Sequence, residues 1–341
     1  MPFILYKIEC INLGDKPVTK PKILLTRQWP AEAEARAKEL FDVTLNKDDH
    51  KMSVAELQDA MKNYDVVCPT VSDFQINSEI LDVEGRRCKA LCNFGVGFNN
   101  IDTDAAKAAG VIVTNTPGVL TDCTADIAMT LLLMVARRAG EGERLVRNKE
   151  WDGWRPMHML STKVTGKKLG LIGFGRIAQA VAQKAHYGFG MELSFYDPYP
   201  PADEVIKKFS ATQLDSVEDV LKGADFVSLH CPGGGSNSNL MNAERLGMMK
   251  KSAFLINTAR GDVVDEPALV NALRDGVIAG AGLDVFAKEP TVTEELLTME
   301  NVVMFPHLGS ATTETRVAMG MCSLDNVKAF FDGDEPPNRV A

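Results

Sequence analysis

The chain is short of the residues that hold small secreted proteins together. It has seven cysteines in 341 residues, an odd number, and no Cys-x-x-Cys pair. A disulfide framework does not fit, and zinc would need tighter groups of Cys and His. Most of the cysteines sit in apolar runs such as Asp65-Val66-Val67-Cys68, where a thiol serves as a small hydrophobe in a reducing compartment. No run approaches the ~18 apolar residues of a membrane span. The apolar start, Met1 to Cys10, lacks the basic region and small-residue cleavage site of a signal peptide. Positive charge is scarce too: 37 Lys and Arg face 46 Asp and Glu, a net −9. Nucleic acid and anionic membrane are poor partners for that balance. The expectation is a cytoplasmic protein that binds no nucleic acid, membrane or metal. An anionic small substrate requires local Arg or Lys to overcome the global field.

What is present suits about two domains, at roughly 150 residues each. Lys22 to Thr26 is the first clear strand, so residues 1–20 look like an addition before it. Pro30 is expected at the first position of a helix, with Glu32 and Glu34 near its positive end. Short apolar runs at 65–68, 89–92 and 111–114 alternate with helical stretches such as Asp102 to Ala109. Continuous apolar strands between helices indicate a parallel sheet covered on both faces. A long helix is expected from Ala125 to Asn148, with Asp122 as N-cap. It is apolar nearly all round at Ile127 to Val135, hence buried in a core or against another chain. A second series of six strands follows, at 168–172, 191–196, 225–229, 253–257, 280–284 and 301–305. Six strands with intervening helices make one complete dinucleotide-binding sheet. The fold expected is α/β, with two Rossmann-like or flavodoxin-like parallel-sheet domains and a cleft between them. The first comprises 1–116 plus a returning C-terminal helix in 308–341, the second 117–307.

The second series opens with Gly173-Phe174-Gly175-Arg176-Ile177-Ala178 between a strand and a helix. Gly173 permits the tight turn, Gly175 lets a pyrophosphate approach the backbone, and Ala178 allows close helix–strand packing. The helix N-terminus offers free N–H groups to phosphate. The next strand ends in Asp197, 24 residues after Gly173. A carboxylate there accepts from ribose hydroxyls and repels a 2′-phosphate, which favours NAD(H) over NADP(H).

Chemistry in such a sheet sits at the C-terminal ends of its strands. Those ends carry Asp197, His230-Cys231-Pro232, Asn257-Thr258-Ala259-Arg260-Gly261, Asp284 and Phe305-Pro306-His307. A guanidinium can grip a carboxylate through its planar fork, and an imidazole can pass a proton to a reacting oxygen. Arg260 and His307 therefore suit a small 2-oxo or 2-hydroxy acid. Glu289 follows as the carboxylate that would hold the imidazolium. His230 is expected to serve the cofactor through the backbone of its loop, not the chemistry.

Beyond its first 20 or so residues the chain resembles the D-isomer-specific 2-hydroxyacid dehydrogenases. The segments that carry the resemblance are Asn93-Phe94-Gly95-Val96-Gly97 through Asp102, the Gly173 loop, Asn257 through Gly261, Gly282-Leu283-Asp284 through Glu289-Pro290, and Pro306 through Thr312. The resemblance implies that Arg260 binds substrate, His307 is the acid/base and Glu289 its partner. Val96 and Gly97 would hold the substrate carboxylate through backbone N–H groups. Arg176, Ile177, Asp197, His230, Cys231, Pro232, Thr258, Ala259, Asp284, His307 and Gly309 would lie against NAD. Within the family the chain looks most like the glyoxylate/hydroxypyruvate reductases, through Thr116 to Asp126, Glu150 to Pro156 and His307 to Thr312. In such relatives a tryptophan reaches the neighbouring subunit's site. Trp154 is the residue so placed here, and a homodimer is implied. Asp197-Pro198-Tyr199 departs from the Arg-bearing segment of NADP-dependent relatives. A D-lactate-type enzyme with a larger substrate remains an alternative, as does an NAD(H)-sensing protein like the corepressors that share this fold.

Overall fold

The central strands are short and apolar on both faces, so each must be covered on both sides, and a parallel sheet between helices does this. The computed structural model describes residues 20–341, and the expected addition at 1–20 lies outside the described residues except for Lys20. The first sheet holds β1 (Lys22–Leu25), β2 (Asp42–Leu45), β3 (Val66–Cys68), β4 (Ala90–Cys92) and β5 (Ile112–Thr114). Its order is β2-β1-β3-β4-β5, parallel throughout. The second holds β6 (Lys168–Ile172), β7 (Glu192–Tyr196), β8 (Thr212–Gln213), β9 (Phe226–Leu229), β10 (Phe254–Asn257), β11 (Gly280–Leu283) and β12 (Val302–Met304). Its order is β12-β11-β10-β9-β6-β7-β8, again parallel.

The chain is thus an α/β protein of two parallel-sheet domains. The reversal of strand order lies between β6 and β9, where such a sheet opens a crevice for ligand. The C-terminal helix, Thr313–Asp332, returns to the first sheet and buries Met319, Leu324 and Val327 there with Trp29, Ala33 and Cys92. Gly320 lets this helix come close to Ala33, since a Cβ would lie 2.5 Å from that of Ala33.

Four expectations need correction. The second sheet has seven strands rather than six, because Thr212–Gln213 adds a two-residue edge beside β7. Pro30 stands one position earlier than expected, at the N-cap of helix Ala31–Leu40. Asp122 is not an N-cap: the helix runs Thr121–Ala136, Leu120 precedes it, and Asp122 lies in its first turn. The helix expected to reach Asn148 also breaks. Arg138 takes a left-handed φ of 53°, and a second helix runs Ala139–Arg147. Arg138 donates to both oxygens of Glu141 at 2.8 and 2.6 Å and to the Leu160 carbonyl, contacts that hold the corner. The first of these helices is buried in its own chain's core, with Leu131 against Gly282 of β11. The second buries nothing.

Candidate active site

Parallel strands deliver their C-terminal ends to one edge, and the chemical side chains gather there. A cleft of about 1460 Å³ lies between the two sheets. After β10, Asn257 locks the turn: its Oδ1 accepts from Ala259 N at 3.0 Å and its Nδ2 donates to the Arg260 carbonyl at 2.9 Å. The Arg260 side chain then crosses the cleft onto Gly97, where any Cβ would collide with the guanidinium. Its Nη1 donates to the Ala259 carbonyl at 2.7 Å. Among the described residues no carboxylate lies within ion-pair distance of it. Burial pushes its pKa below the ordinary guanidinium value, against the pull of Glu289 and Asp262.

The loop after β4 faces this guanidinium. Asn93 and Asn115 donate through Nδ2 to the carbonyls of Gly97 and Val96, each at 2.9 Å, and fix the loop from behind. The Val96 and Gly97 N–H groups make no hydrogen bond among the described residues. Two free N–H donors beside an unpartnered guanidinium form a carboxylate-sized anion site.

After β11, the buried Asp284 organises the next loop. Its Oδ1 accepts from Leu308 N at 2.6 Å and its Oδ2 from Gly309 N at 2.8 Å, while its carbonyl accepts from His307 N at 3.0 Å. These bonds hold His307 at a left-handed φ of 56°, a conformation that costs energy for a residue with a Cβ. Burial pushes the Asp284 pKa up, and the loop N–H groups and His307 offset part of that rise. His307 Nδ1 lies 2.8 Å from Glu289 Oε2, and Glu289 Oε1 accepts from Phe286 N at 3.0 Å. Burial opposes ionisation of Glu289. The His307 contact, the Phe286 N–H and the Arg260 charge outweigh it and hold the carboxyl below its usual range.

The dinucleotide loop adjoins the same edge. Gly173 has φ 85°, and a Cβ there would come 2.8 Å from the His230 carbonyl. Helix Arg176–Gln183 begins after Gly175 with no side-chain cap, so its first N–H groups remain available to an anion. A Cβ at Gly175 would meet no atom of the described residues within 4 Å, so their packing does not require glycine there. The buried Thr258 Oγ1 has no partner among the described residues. Asp197 accepts from Phe174 N at 2.7 Å and Tyr199 N at 2.8 Å, which ties the loop to the end of β7. These residues fit a dinucleotide.

The structure brings Val96, Gly97, Ile177, His230, Cys231, Pro232, Thr258, Ala259, Arg260, Asp284, Glu289, His307 and Gly309 to the cleft wall. Gly173, Gly175, Arg176 and Asp197 do not line it; Gly173 packs against the His230 carbonyl on that wall, and Asp197 holds Phe174 N between the two glycines. Trp154 does not line its own chain's cleft; it is 81% exposed. Residues that sequence reasoning missed include Glu266, which is buried and accepts from Ala287 N and Thr293 Oγ1, both at 2.6 Å. It props the loop that carries Glu289. Thr124 donates to the Gly309 carbonyl at 3.0 Å. Neither has a motif to mark it, since each acts on backbone of a distant segment.

A model of the D-isomer specific 2-hydroxyacid dehydrogenase NAD-binding domain matches residues 129–309. The chain belongs to this family. It is 42% identical to glyoxylate reductase of Thermococcus litoralis over 94% of its own length and 97% of the relative's. It is 38% identical to glycerate dehydrogenase of Hyphomicrobium methylovorum, over 93% and 98%. The NADPH-dependent glyoxylate/hydroxypyruvate reductase of Sinorhizobium meliloti, solved with NADP and malonate, superposes with a TM-score of 0.84. The two are 33% identical, covering 95% of this chain and 97% of that one. The chain is an oxidoreductase of the 2-hydroxyacid dehydrogenase type that uses a nicotinamide cofactor.

Two groups beside the loop are silenced by their surroundings. Burial lowers the His230 pKa to about 4, with Nε2 2.8 Å from Ser228 Oγ, and raises that of Cys231 to about 11. The unfolded chain therefore binds a proton at His230 that the folded chain refuses between about pH 6.5 and 4. Stability from this group is full above that window and falls as pH drops through it. Urea unfolding at pH 7 and pH 4.5 should show His230→Gln gaining on the wild type by about 2–3 kcal/mol at the lower pH. A gap unchanged by pH would mean that the imidazole is charged in the fold.

Proposed function

We propose that the protein reduces a small 2-oxo acid, glyoxylate or hydroxypyruvate, to the 2-hydroxy acid with NADH. The observation that carries this is the His307–Glu289 pair at 2.8 Å, set beside a guanidinium that has no carboxylate of its own among the described residues. We take residues 117–307 as the dinucleotide-binding domain and 1–116 with 308–341 as the substrate-binding domain. Gly173, Gly175 and the uncapped helix after them would hold the pyrophosphate, Asp197 the ribose, and Thr258 the cofactor near the reacting end. A bound nicotinamide supplies the hydride. Arg260 and the Val96 and Gly97 N–H groups hold the substrate carboxylate, and Arg260 polarises the 2-oxo group, so its charge counts most as negative charge develops on the oxygen. His307 gives that oxygen a proton from Nε2 while Nδ1 stays on Glu289. Glu289 keeps the ring in place through Nδ1. A corepressor-like binding role needs neither the His307–Glu289 pair nor the free N–H groups opposite Arg260. Buried free thiols at Cys68, Cys88 and Cys92 suit a reducing, cytoplasmic setting.

His307→Ala is expected to lower turnover by roughly 10²–10⁴-fold with NADH binding intact. Near-native turnover would remove His307 from the chemistry. Glu289→Gln should move the high-pH limb of the reduction profile to lower pH, because the proton is held less firmly; an unmoved limb rejects the pairing.

Coenzyme choice rests on Asp197. Its carboxylate accepts hydroxyl donors and repels phosphate, and Pro198, Tyr199, Pro200 and Pro201 bring no cation to the strand end. Steady-state rates should give NADH the higher kcat/KM, and a higher value for NADPH contradicts this role of the carboxylate.

We also propose a homodimer. The helix Thr121–Ala136 no longer argues for it, since its apolar face is used within the chain. The arm after the second helix does: Trp151, Trp154, Met157 and Leu160 are all more than half exposed on one short segment. Apolar side chains clustered in this way mark a contact surface. Light scattering should give twice the chain mass, and Trp154→Ala together with Met157→Ser should shift it toward monomer. A monomeric wild type overturns this.

A further inference from the structure

The cleft contains a second guanidinium that the reaction above does not use. Arg316 is the fourth residue of helix Thr313–Asp332 and lines the same cleft as Arg260 and His307. Its Nε donates to the Ser310 carbonyl at 3.2 Å, which anchors it to the turn just after His307. Both of its terminal nitrogens lack an acceptor among the described residues, and no carboxylate there lies within ion-pair distance.

Three circumstances make that placement costly without a ligand. The side chain is more than half buried, and an unpaired charge out of water is unfavourable. It stands in the first turn of a long helix, where the macrodipole opposes a cation. It also shares the cleft with a second unneutralised guanidinium. Two other part-buried arginines are neutralised by carboxylates: Arg245 lies 2.8 Å from Glu218, and Arg27, also on the cleft wall, 2.9 Å from Asp49. Arg86, part-buried away from the cleft, has no carboxylate but spends both terminal nitrogens on the Leu81 and Ala109 carbonyls. Lys51 on the same wall sits over the Phe74 ring. Among the described residues Arg316 combines free donors with a position next to the acid/base turn.

Resting on the 2-oxo acid reading of this site, we infer that Arg316 recognises the substituent at C3 of the substrate and selects 2-oxo acids with a hydroxyl or anionic group there. Arg260 takes the C1 carboxylate. Arg316 takes what lies beyond the reacting carbon, where hydroxypyruvate has a hydroxyl, pyruvate a methyl group and glyoxylate nothing. A guanidinium donates to a hydroxyl or carboxylate oxygen and gains nothing from a methyl group.

The test measures kcat and KM for glyoxylate, pyruvate and hydroxypyruvate in the wild type, Arg316→Gln and Arg316→Lys, with NADH affinity by fluorescence. The wild type should prefer hydroxypyruvate over pyruvate by roughly 10–100-fold, the scale of a hydrogen bond to a charged group. Arg316→Gln should lose about that factor on hydroxypyruvate, chiefly in KM, and less than about threefold on the other two. Arg316→Lys should recover part of it, since charge returns without the fork. Equal losses on all three substrates, or weaker NADH binding, would show a structural or cofactor role and overturn the inference. Equal wild-type rates on pyruvate and hydroxypyruvate overturn it without any variant, so a Gln substitution that fails to fold leaves the test intact. Wild-type turnover on none of the three would instead bring down the reading of the site itself.

Discussion

A guanidinium left without a carboxylate among the described residues is the constraint around which this cleft is built. Arg260 is enclosed on both sides of the cleft, and charge in that setting is strongly disfavoured unless something neutralises it. The chain is acidic, and Asp262, Asp284 and Glu289 all stand nearby. None collapses onto the guanidinium, because each has been given other donors. Asp262 accepts from Gly234 N at 2.6 Å, Asp284 from Leu308 and Gly309, and Glu289 from Phe286 and His307. Each carboxylate fixes a loop and is thereby kept from Arg260. Gly97 completes the arrangement, since a side chain there would drive the guanidinium out of position.

The fold makes this affordable by carrying the loops on parallel strands. Adjacent β9, β10 and β11 run in register, Leu229 beside Asn257 and Asn257 beside Leu283, so the residues that follow them emerge at one level. Asn257 then closes its own turn and Asp284 closes that of His307. The left-handed backbone at His307 belongs to the same logic. Such a position costs about 1–3 kcal/mol, and glycine would avoid it, but glycine has no imidazole. Three hydrogen bonds from one aspartate hold the histidine where its ring meets Glu289.

Much of this was legible in the sequence because it rests on local pattern. Apolar strands, the Gly173 turn and the short segments around Arg260, Glu289 and His307 are each written within a few residues. What escaped is edge or tertiary in origin. Asp42–Leu45 and Thr212–Gln213 are short, half-polar edge strands whose pairing comes from a neighbour rather than from their own residues. The break falls on Arg138 itself, which is neither glycine nor proline, while Gly140 and Gly142 just beyond it lie inside the next helix; contacts with Glu141 and Leu160 hold the corner. The roles of Glu266, Thr124 and Arg316 depend on segments 21 or more residues away or on a missing partner, and no spacing rule encodes either.

Asp197 shows how one side chain can serve the fold and the ligand together. One oxygen holds Phe174 N inside the glycine loop and the other holds Tyr199 N beyond the strand. Each carboxylate oxygen has a second lone pair, so the group can still accept from a ribose hydroxyl while its orientation is already fixed. A carboxylate constrained in this way has lost its freedom before the dinucleotide arrives, which lowers the entropy cost of binding. It also cannot turn away from a 2′-phosphate without releasing Phe174 from the loop. On the proposed preference for NADH, discrimination between the two coenzymes would come from a residue that the phosphate loop itself needs, and relaxing one function would loosen the other.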